Sequence, residues 1–341
     1  SRDEGQSWDT ISPELTQNRQ DVMGEISGGP ISSNASSLFH VSLIRTIAES
    51  PLQKGELWVG TDDSTVQVSR DGGGSWQDVS PPDLPEWTTI TAIDVSPHRR
   101  GTAYISGERH RVSDRTPYLY KTNDYGNSWQ RITTGIRDND YSWIIRMDPV
   151  RPGLLYAGTE TGVYVSFDAG DSWQSLQRNL PPVMVMHMLV KDDDLVVATH
   201  GRGFWIMDNI SSLRAITPEV ASAPVHLFEV APAIRQRRGG SGWMGSRDEA
   251  RNPPRGVMVE YHLAQAATGE VELTFMEAND EIIQQFSSGS DENPGPTTSK
   301  GTNRFFWDMR YPGTSMPPAA GALNGFLSID YSPPSPPVAP P

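Results

Sequence analysis

The chain has 341 residues, a formal net charge of −14 and 36% hydrophobic residues, with 31 Gly, 28 Pro and 10 Trp. Abundant turn-forming residues and few long apolar runs favour many short strands over helices. The negative charge argues against nucleic acid as a partner, because phosphate binding needs clustered Lys and Arg. No segment reaches the roughly 18 apolar residues of a membrane span. Cysteine is absent, which excludes disulfides, thiol catalysis and cysteine-ligated zinc.

An eight-residue pattern, Ser/Thr-x-Asp-x-Gly-x-x-Trp, occurs four times and is called the box below. Its Asp and Trp positions are Asp3 and Trp8, Asp71 and Trp76, Asp124 and Trp129, and Asp168 and Trp173. In such a turn we expect the Asp to accept hydrogen bonds from backbone N–H groups two or three residues on, and the Gly to supply a positive φ. The Trp then opens the next strand and buries its ring between neighbouring sheets. We therefore interpret the boxes as structural hairpins, not as catalytic or ligand-binding sites.

The strands around the boxes repeat as well. The last two spacings between box Trp residues, 53 and 44 positions, are close to the roughly 40–50 residues of a four-stranded propeller blade. A further unit lacks the box: residues 186–190, 195–199 and 203–207 supply three strands, and Asp208 stands where the box would start. We predict about four blades of a β-propeller in residues 1–209, with other blades lying outside this sequence.

The composition changes after the last blade. Residues 210–255 are rich in Pro, Gly and Arg around one apolar strand at 225–230, which predicts a linker with a bridging strand. Alternating apolar and polar residues then indicate four more strands, at 257–263, 271–276, 282–286 and 303–308. We predict an all-β chain in which the partial propeller is followed by a truncated immunoglobulin-like β-sandwich over 256–341, ending in a Pro-rich tail.

The boxes resemble those of the bacterial-neuraminidase-repeat superfamily, which includes sialidases, xyloglucanase-type glycosidases and sortilin-type receptors. Residues 148–164 and 196–208 are similar to large bacterial sortilin-like repeat proteins, often labelled glycosyl hydrolase. The resemblance implies an Asp-box propeller, a following immunoglobulin-like domain and an exported protein that is periplasmic, on the cell surface or secreted. Because enzymes and non-enzymes share the boxes, it implies the fold and not the activity. The Arg-Ile-Pro element of sialidases does not occur.

Strand direction predicts where a ligand would bind. In an up-and-down blade, the turns after the second and fourth strands lie at the end opposite the boxes, which follow the third strand. Those turns contain the catalytic candidates Asp62, Glu160 and His200. They also contain the candidate ligand-face residues Asp63, Trp87, Arg109, Arg111, Asp138, Asp140, Tyr141 and Arg202. Paired carboxylates would suit glycoside hydrolysis if they stood about 5–9.5 Å apart, and the same charges also suit hydrated turns.

The sequence leaves three functional hypotheses open. The leading one is a non-catalytic binding or scaffold propeller with a protein or glycan partner and no cofactor, because the repeat is complete while no recognisable catalytic set is present. The second is a glycoside hydrolase of the Asp-box type. The third is an accessory subunit of a larger envelope or membrane assembly. Carboxylates at 192–194 could hold calcium, although a solvated turn is the simpler interpretation and no metal site is predicted.

Overall fold

The computed structural model describes residue 1 and residues 3–18, 42–233, 256–290 and 295–310. The chain divides into two compact units, Ser1–Ile210 and Ser211–Pro341. Regular structure in the described residues is almost entirely β, which confirms the predicted all-β class. The arginine-rich part of the linker and the Pro-rich tail lie outside the described residues.

The first unit contains three four-stranded antiparallel sheets and one three-stranded sheet, each with its strands in chain order. Sheet 1 consists of β1 (Ile44–Glu49), β2 (Leu57–Thr61), β3 (Val66–Ser69) and β4 (Gln77–Asp78). Sheet 2 consists of β5 (Thr89–Val95), β6 (Ala103–Arg109), β7 (Asp114–Thr122) and β8 (Gln130–Arg131). Sheet 3 consists of β9 (Ser142–Met147), β10 (Leu155–Thr159), β11 (Val163–Ser166) and β12 (Gln174–Ser175). Sheet 4 consists of β13 (Val185–Lys191), β14 (Asp194–Thr199) and β15 (Phe204–Met207).

The first strands of successive sheets stand side by side. Strand β1 contacts β5, β5 contacts β9, and β9 contacts β13. Four-stranded meanders whose innermost strands are neighbours are the blades of a β-propeller. The prediction of a partial propeller with about four blades is confirmed.

Apolar side chains fill the space between consecutive sheets. Trp58, Val66 and Val68 of sheet 1 belong to one buried cluster with Ile105 and Tyr120 of sheet 2. A second cluster joins sheets 2 and 3 in the same way. Because both faces of an inner sheet are covered, its strands read as nearly continuous apolar runs.

Each box is a turn closed by its own side chains. In the box of sheet 1, the Asp71 carboxylate accepts hydrogen bonds from the backbone N–H and the hydroxyl of Ser75, at 2.8 and 2.6 Å. These two donors lie four residues after the Asp, one position further than expected, and the N–H of Gly74, three residues on, also lowers the pKa of Asp71. The N–H of Gly73, two residues on, donates instead to the Ser69 hydroxyl at 2.8 Å. The other three boxes repeat this arrangement.

The box Trp fastens each sheet to the one before it. The indole N–H of Trp129 donates to the Val79 carbonyl at 2.6 Å, and that of Trp173 donates to the Ile132 carbonyl at 2.7 Å. The acceptor is in each case the residue three positions after the preceding box Trp. Trp76 donates to the Ile11 carbonyl at 3.1 Å in the same way. We call this repeated contact the seam.

The box Gly belongs to the same seam. A Cβ atom at Gly126 would lie 2.6 Å from Val79, and one at Gly170 would lie 2.6 Å from Ile132. Only Gly therefore lets the turn approach the residue that the next Trp binds. The expected burial of the Trp rings differs from box to box: Trp173 is buried, Trp76 and Trp129 are half-buried, and Trp8 is 79% exposed.

The second unit opens with two short helices, α1 (Ser211–Ala215) and α2 (Pro218–Ser222), where a linker was expected. Its strands are β16 (Val225–Leu227), β17 (Val257–Leu263), β18 (Glu272–Met276), β19 (Ile282–Ser287) and β20 (Gly301–Trp307). Strand β16, expected to bridge the two domains, pairs with β17 at the edge of the sheet β16-β17-β20. The hairpin β18–β19 shares an apolar cluster with this sheet through Ile283, Phe305 and Trp307. The immunoglobulin-like assignment stays a prediction.

Replacing Trp173 by Phe should destabilise the first unit. An aromatic ring smaller than indole remains, and the Ile132 carbonyl loses its donor, which by itself costs about 1–3 kcal/mol for a buried acceptor. Urea unfolding followed by circular dichroism measures the change. Trp8→Phe is the matched control, since the exposed Trp8 should change the free energy of unfolding by less than about 0.5 kcal/mol. Equal effects of the two substitutions would contradict the seam.

Acid should weaken the boxes. The Ser75 hydroxyl and N–H lower the pKa of Asp71 from 3.8 to about 2. Between these two values the unfolded chain binds more protons than the folded chain, so stability is lost as the pH falls from about 4 to about 2. The urea midpoint measured against pH should show this decline. Asp71→Asn, which cannot ionise, should make the decline shallower, and an unchanged pH profile would refute the assignment.

Candidate functional site

Two sets of turns meet at the end of the first unit opposite the boxes. One set joins the second and third strands of a sheet, and the other leads into the first strand of the next sheet. They touch where the Glu160 N–H donates to the Tyr141 carbonyl at 3.1 Å. The box turns contact the connections between first and second strands, as where the Ala169 N–H donates to the Gly153 carbonyl at 2.8 Å. The end without boxes is called the turn face below.

Charged and aromatic side chains of sheets 2 and 3 come together on the turn face. This Tyr141 cluster consists of Glu108, His110, Arg115, Tyr141 and Glu160. The His110 ring stacks on the Tyr141 ring, with centroids 4.9 Å apart and 14° between the planes. The Arg115 guanidinium lies 5.8 Å from the centroid of the Tyr141 ring and forms an ion pair with Glu160. The cluster thus ties the two sheets together and presents ordered polar groups to solvent.

Glu108 anchors the cluster from below. Its side chain is 1% exposed, and a buried carboxylate is costly unless it is hydrogen-bonded. The His110 backbone N–H donates to it at 2.9 Å, and its carboxylate also contacts the Nδ1 atom of His110. Burial, followed by the charge of Glu108, raises the pKa of Tyr141, so this phenol is protonated at neutral pH. Because Glu108 contacts both the backbone N–H and the ring Nδ1 of His110, it fixes the orientation of the His110 ring.

A second ion pair lies beside the cluster, at the turn between β6 and β7. Arg109 pairs with Asp114 and donates through Nε to the Glu86 carbonyl at 3.0 Å. The Tyr118 hydroxyl also donates to Asp114, at 2.8 Å. Burial would raise the pKa of Asp114, but these partners and the N–H of Thr116 outweigh it and lower the pKa to about 2. The guanidinium of Arg109 is therefore held in one position.

The two adjacent aspartates of sheet 1 hold turns in place. Asp63 is 2% exposed and accepts hydrogen bonds from the Thr61 hydroxyl at 2.6 Å and the Gln17 N–H at 2.8 Å. Asp62 accepts from the Leu43 N–H at 2.8 Å. Burial, opposed by this hydrogen bond, raises the pKa of Asp62, and the charge of Asp63 adds to the rise. Both carboxylates are engaged with the backbone or with neighbouring hydroxyls.

Asp140 has a similar structural role in sheet 3. It is 1% exposed and accepts hydrogen bonds from the hydroxyls of Thr159, Thr161 and Tyr164, at 2.9, 2.7 and 3.2 Å. Asp138, by contrast, is exposed. The sequence predicts both as ligand-face residues, but Asp140 is buried and hydrogen-bonded within sheet 3, whereas Asp138 is exposed.

The remaining candidates are spread over other turns of the face. His200 is exposed, and its backbone N–H donates to the Met184 carbonyl at 2.9 Å. Arg202 and Arg111 are exposed, and Trp87 is half-buried with a φ of 63°. Of the catalytic candidates, only Glu160 belongs to the Tyr141 cluster.

Sequence reasoning missed Arg115, and it placed the turn that holds Glu108 and His110 on this face without naming either as a candidate. The sequence contains one feature that could have pointed to these residues, the basic run between the second and third strands of sheet 2. Strands β6 and β7 have seven and nine residues, more than their counterparts in sheets 1 and 3. The turn between them carries the run Arg-His-Arg-Val-Ser-Asp-Arg at 109–115, a concentration of positive charge in an acidic chain.

Within the described ranges, no group of three or more His, Asp or Glu side chains is arranged to hold a metal ion. In the carboxylate run at 192–194, Asp194 accepts from the Asn209 N–H at 2.9 Å and Asp192 pairs with Lys191.

No helix in the described part of the chain has the length and apolar character needed to cross a membrane.

No protein-family model matches the chain. A curated relative is the oligoxyloglucan-reducing end-specific xyloglucanase of Emericella nidulans, which is 31% identical over 88 residues. The matched segment covers 25% of this chain and 10% of that enzyme. The chain therefore spans about a tenth of the length of the curated relative it matches.

Similar solved structures include the GH74 xyloglucanase from Xanthomonas campestris, at 18% identity and a TM-score of 0.40. The match covers 49% of this chain and 28% of that one. Another is YCF48 bound to D1 peptide, at 17% identity and a TM-score of 0.37, with 48% of this chain and 54% of that chain covered. What the chain itself shows is an all-β protein whose first unit is an array of β-propeller blades.

Proposed function

We propose that the chain is a non-catalytic binding or scaffold module of the Asp-box propeller type, which engages a protein or glycan partner through the turn face. The resemblance to sortilin-like repeat proteins adds an exported location to this proposal, and a place as an accessory subunit of a larger envelope or membrane assembly is a further part of it. The observation that supports it best is the state of the carboxylates on that face. Asp62, Asp63, Asp140 and Glu160 each hold a turn or an arginine, whereas a general acid or base must be within reach of its substrate.

The groups left at the surface suit binding. The Arg115 side chain is 52% exposed and that of His110 is 36% exposed. Both are oriented by partners beneath them, so little side-chain freedom is lost when a ligand binds. A guanidinium and an imidazole beside an aromatic ring can donate to the carbonyl, carboxylate or hydroxyl oxygens of a peptide or a sugar.

Arg115 should contribute strongly to binding. The chain would be screened against a glycan array and a displayed peptide library, and the affinity of the best ligand would then be measured by titration calorimetry. Arg115→Ala should weaken that affinity roughly 10- to 100-fold, the value of one charge-assisted hydrogen bond. Arg100→Ala is the matched control, because Arg100 is exposed on the turn between β5 and β6 at the box end. Equal affinity of the two variants would contradict the proposed face.

A glycoside hydrolase is the second candidate. It is favoured by the 88-residue similarity to a xyloglucanase and by the presence of two carboxylates, Glu108 and Glu160, in the Tyr141 cluster. Glycosidases use such pairs as acid and base or nucleophile.

One assay distinguishes the binding function from the glycoside hydrolase function. Xyloglucan oligosaccharides and aryl glycosides are incubated with the chain, and released reducing ends are measured. The binding proposal predicts no turnover above the buffer blank. Turnover that Glu160→Gln or Asp62→Asn abolishes, with the circular dichroism spectrum unchanged, would overturn the binding proposal and establish the enzyme.

A further inference from the structure

A groove lies at the box end of the first unit, between sheet 1 and the box turn of sheet 2, and is called the box-end groove below. Its volume is about 470 Å³, within the roughly 300–1,000 Å³ of sites that bind small molecules. Two aromatic side chains line it, Trp76 from the box of sheet 1 and Tyr125 from the box of sheet 2. The polar side chains of Gln53, Arg70 and Gln77 also line it. The groove is at the opposite end of the sheets from the turn face.

Both aromatic rings of the groove are held in place by the protein. The indole N–H of Trp76 donates to the carbonyls of Ile11 and Gly73, at 3.1 and 3.2 Å. The Tyr125 N–H donates to the Gly101 carbonyl at 2.9 Å. A Cβ atom at Gly101 would lie 2.7 Å from the Tyr125 ring, so this ring packs directly on the Gly101 backbone. A ligand therefore binds to rings that are already ordered, which lowers the entropic cost of binding.

The polar side chains of the groove have unused hydrogen-bonding groups. Within the described ranges, the guanidinium of Arg70 and the side-chain amides of Gln53 and Gln77 make no hydrogen bond to the protein. The Arg70 guanidinium lies over the Tyr125 ring, 5.0 Å from its centroid, and this contact orients it. An amide both donates and accepts, and a guanidinium carries five donors. Hydroxyl groups, which also donate and accept, match this set.

The turns do not require the side chains that form the groove. Arg70 and Tyr125 stand at positions that the box pattern leaves open. At the position of Arg70 the box of sheet 2 has Asn123, and at the position of Tyr125 the box of sheet 3 has Ala169. Both boxes form the same turn. The arginine and the ring are therefore additions to the turn and not parts of its structure.

The equivalent polar groups between sheets 2 and 3 are engaged within the protein. The Asn123 amide oxygen accepts a hydrogen bond from the Thr102 hydroxyl at 3.0 Å. Gln130 follows its box Trp as Gln77 does, and its amide donates to the Asp171 carboxylate at 3.4 Å. The box-end groove thus differs from the equivalent place in the next pair of sheets, because its polar groups are left to solvent or to a ligand.

The lining of the groove suits a neutral sugar. The C–H face of a pyranose ring is apolar and can pack on an indole, while the hydroxyls around the ring need partners that donate and accept. A net charge of −14 on the chain repels anionic ligands. We propose that the box-end groove binds a neutral pyranose residue of an oligosaccharide, which packs on Trp76 while Arg70 and Gln77 bind its hydroxyls. This site is additional to the turn face and does not depend on the function proposed for that face.

Cellotetraose, xylotetraose, mannotetraose and maltotetraose are the probes, each titrated into the full chain by calorimetry. At least one should bind saturably and slow hydrogen exchange at amides 70–77 and 124–126. Gln77→Ala should weaken the affinity roughly tenfold, the value of one hydrogen bond. Gln130→Ala is the matched control, because Gln130 is equally exposed after its own box Trp, and its affinity should equal that of the unmodified chain.

A second variant removes a wall of the groove without disturbing the turn. Tyr125 has a φ of 61°, and Ala169 adopts 60° at the equivalent position, so Tyr125→Ala fits the turn. It should weaken sugar binding roughly tenfold or more, because the ring that orients Arg70 is lost. The circular dichroism spectrum should be unchanged.

Three results would overturn the proposal. The first is that none of the four sugars binds. The second is that Arg115→Ala weakens binding while Tyr125→Ala does not, which would place the sugar on the turn face instead. The third concerns another occupant, since aromatic grooves also receive Pro-rich segments. A peptide with the sequence of residues 333–341 that binds more tightly than every sugar, and that Tyr125→Ala weakens, would assign the groove to the peptide.

Discussion

The hydrogen bond from the box indole to the carbonyl of the preceding sheet is the contact on which the first unit depends. It links Trp129 to Val79 and Trp173 to Ile132, residues about fifty and forty positions apart in the chain. Apolar burial supplies most of the stabilisation between sheets but is not directional. The indole contact is directional, so it sets how far one sheet is displaced along the next. The Asp and Gly of the box keep the Trp at the distance at which this bond can form.

The seam constrains the box end of the propeller and leaves the opposite end free of this constraint. The box end is made of turns that satisfy their own hydrogen bonds, and its four aspartates are used in doing so. The opposite end is free to vary, as the longer strands β6 and β7 show. Functional residues in propellers can therefore accumulate there without disturbing the sheets. The Tyr141 cluster lies where the extended hairpin of β6 and β7 meets the connection leading into β9.

The box pattern and the strand periodicity were sufficient to predict the all-β class, the number of blades and the end of the molecule at which the turns meet. The contacts of the cluster were not predictable in this way. Arg115 and Glu160 are 45 positions apart, and no pattern in the sequence pairs side chains on the turns of separate sheets. Nor could residue type distinguish Asp62 and Asp140, which hold turns, from carboxylates that would face a ligand. Within the box, the donors four residues after the Asp were not expected, because residue type does not show that the Ser69 hydroxyl takes the N–H two residues on.

Hydrogen exchange of the full chain with and without its best ligand tests most directly whether a partner binds at the turn face. Slower exchange is expected at amides 108–116 and 160–162, with the box turns at 69–76 and 122–129 unchanged. Protection confined to the box turns, with the Tyr141 cluster exchanging as in the free chain, would contradict it.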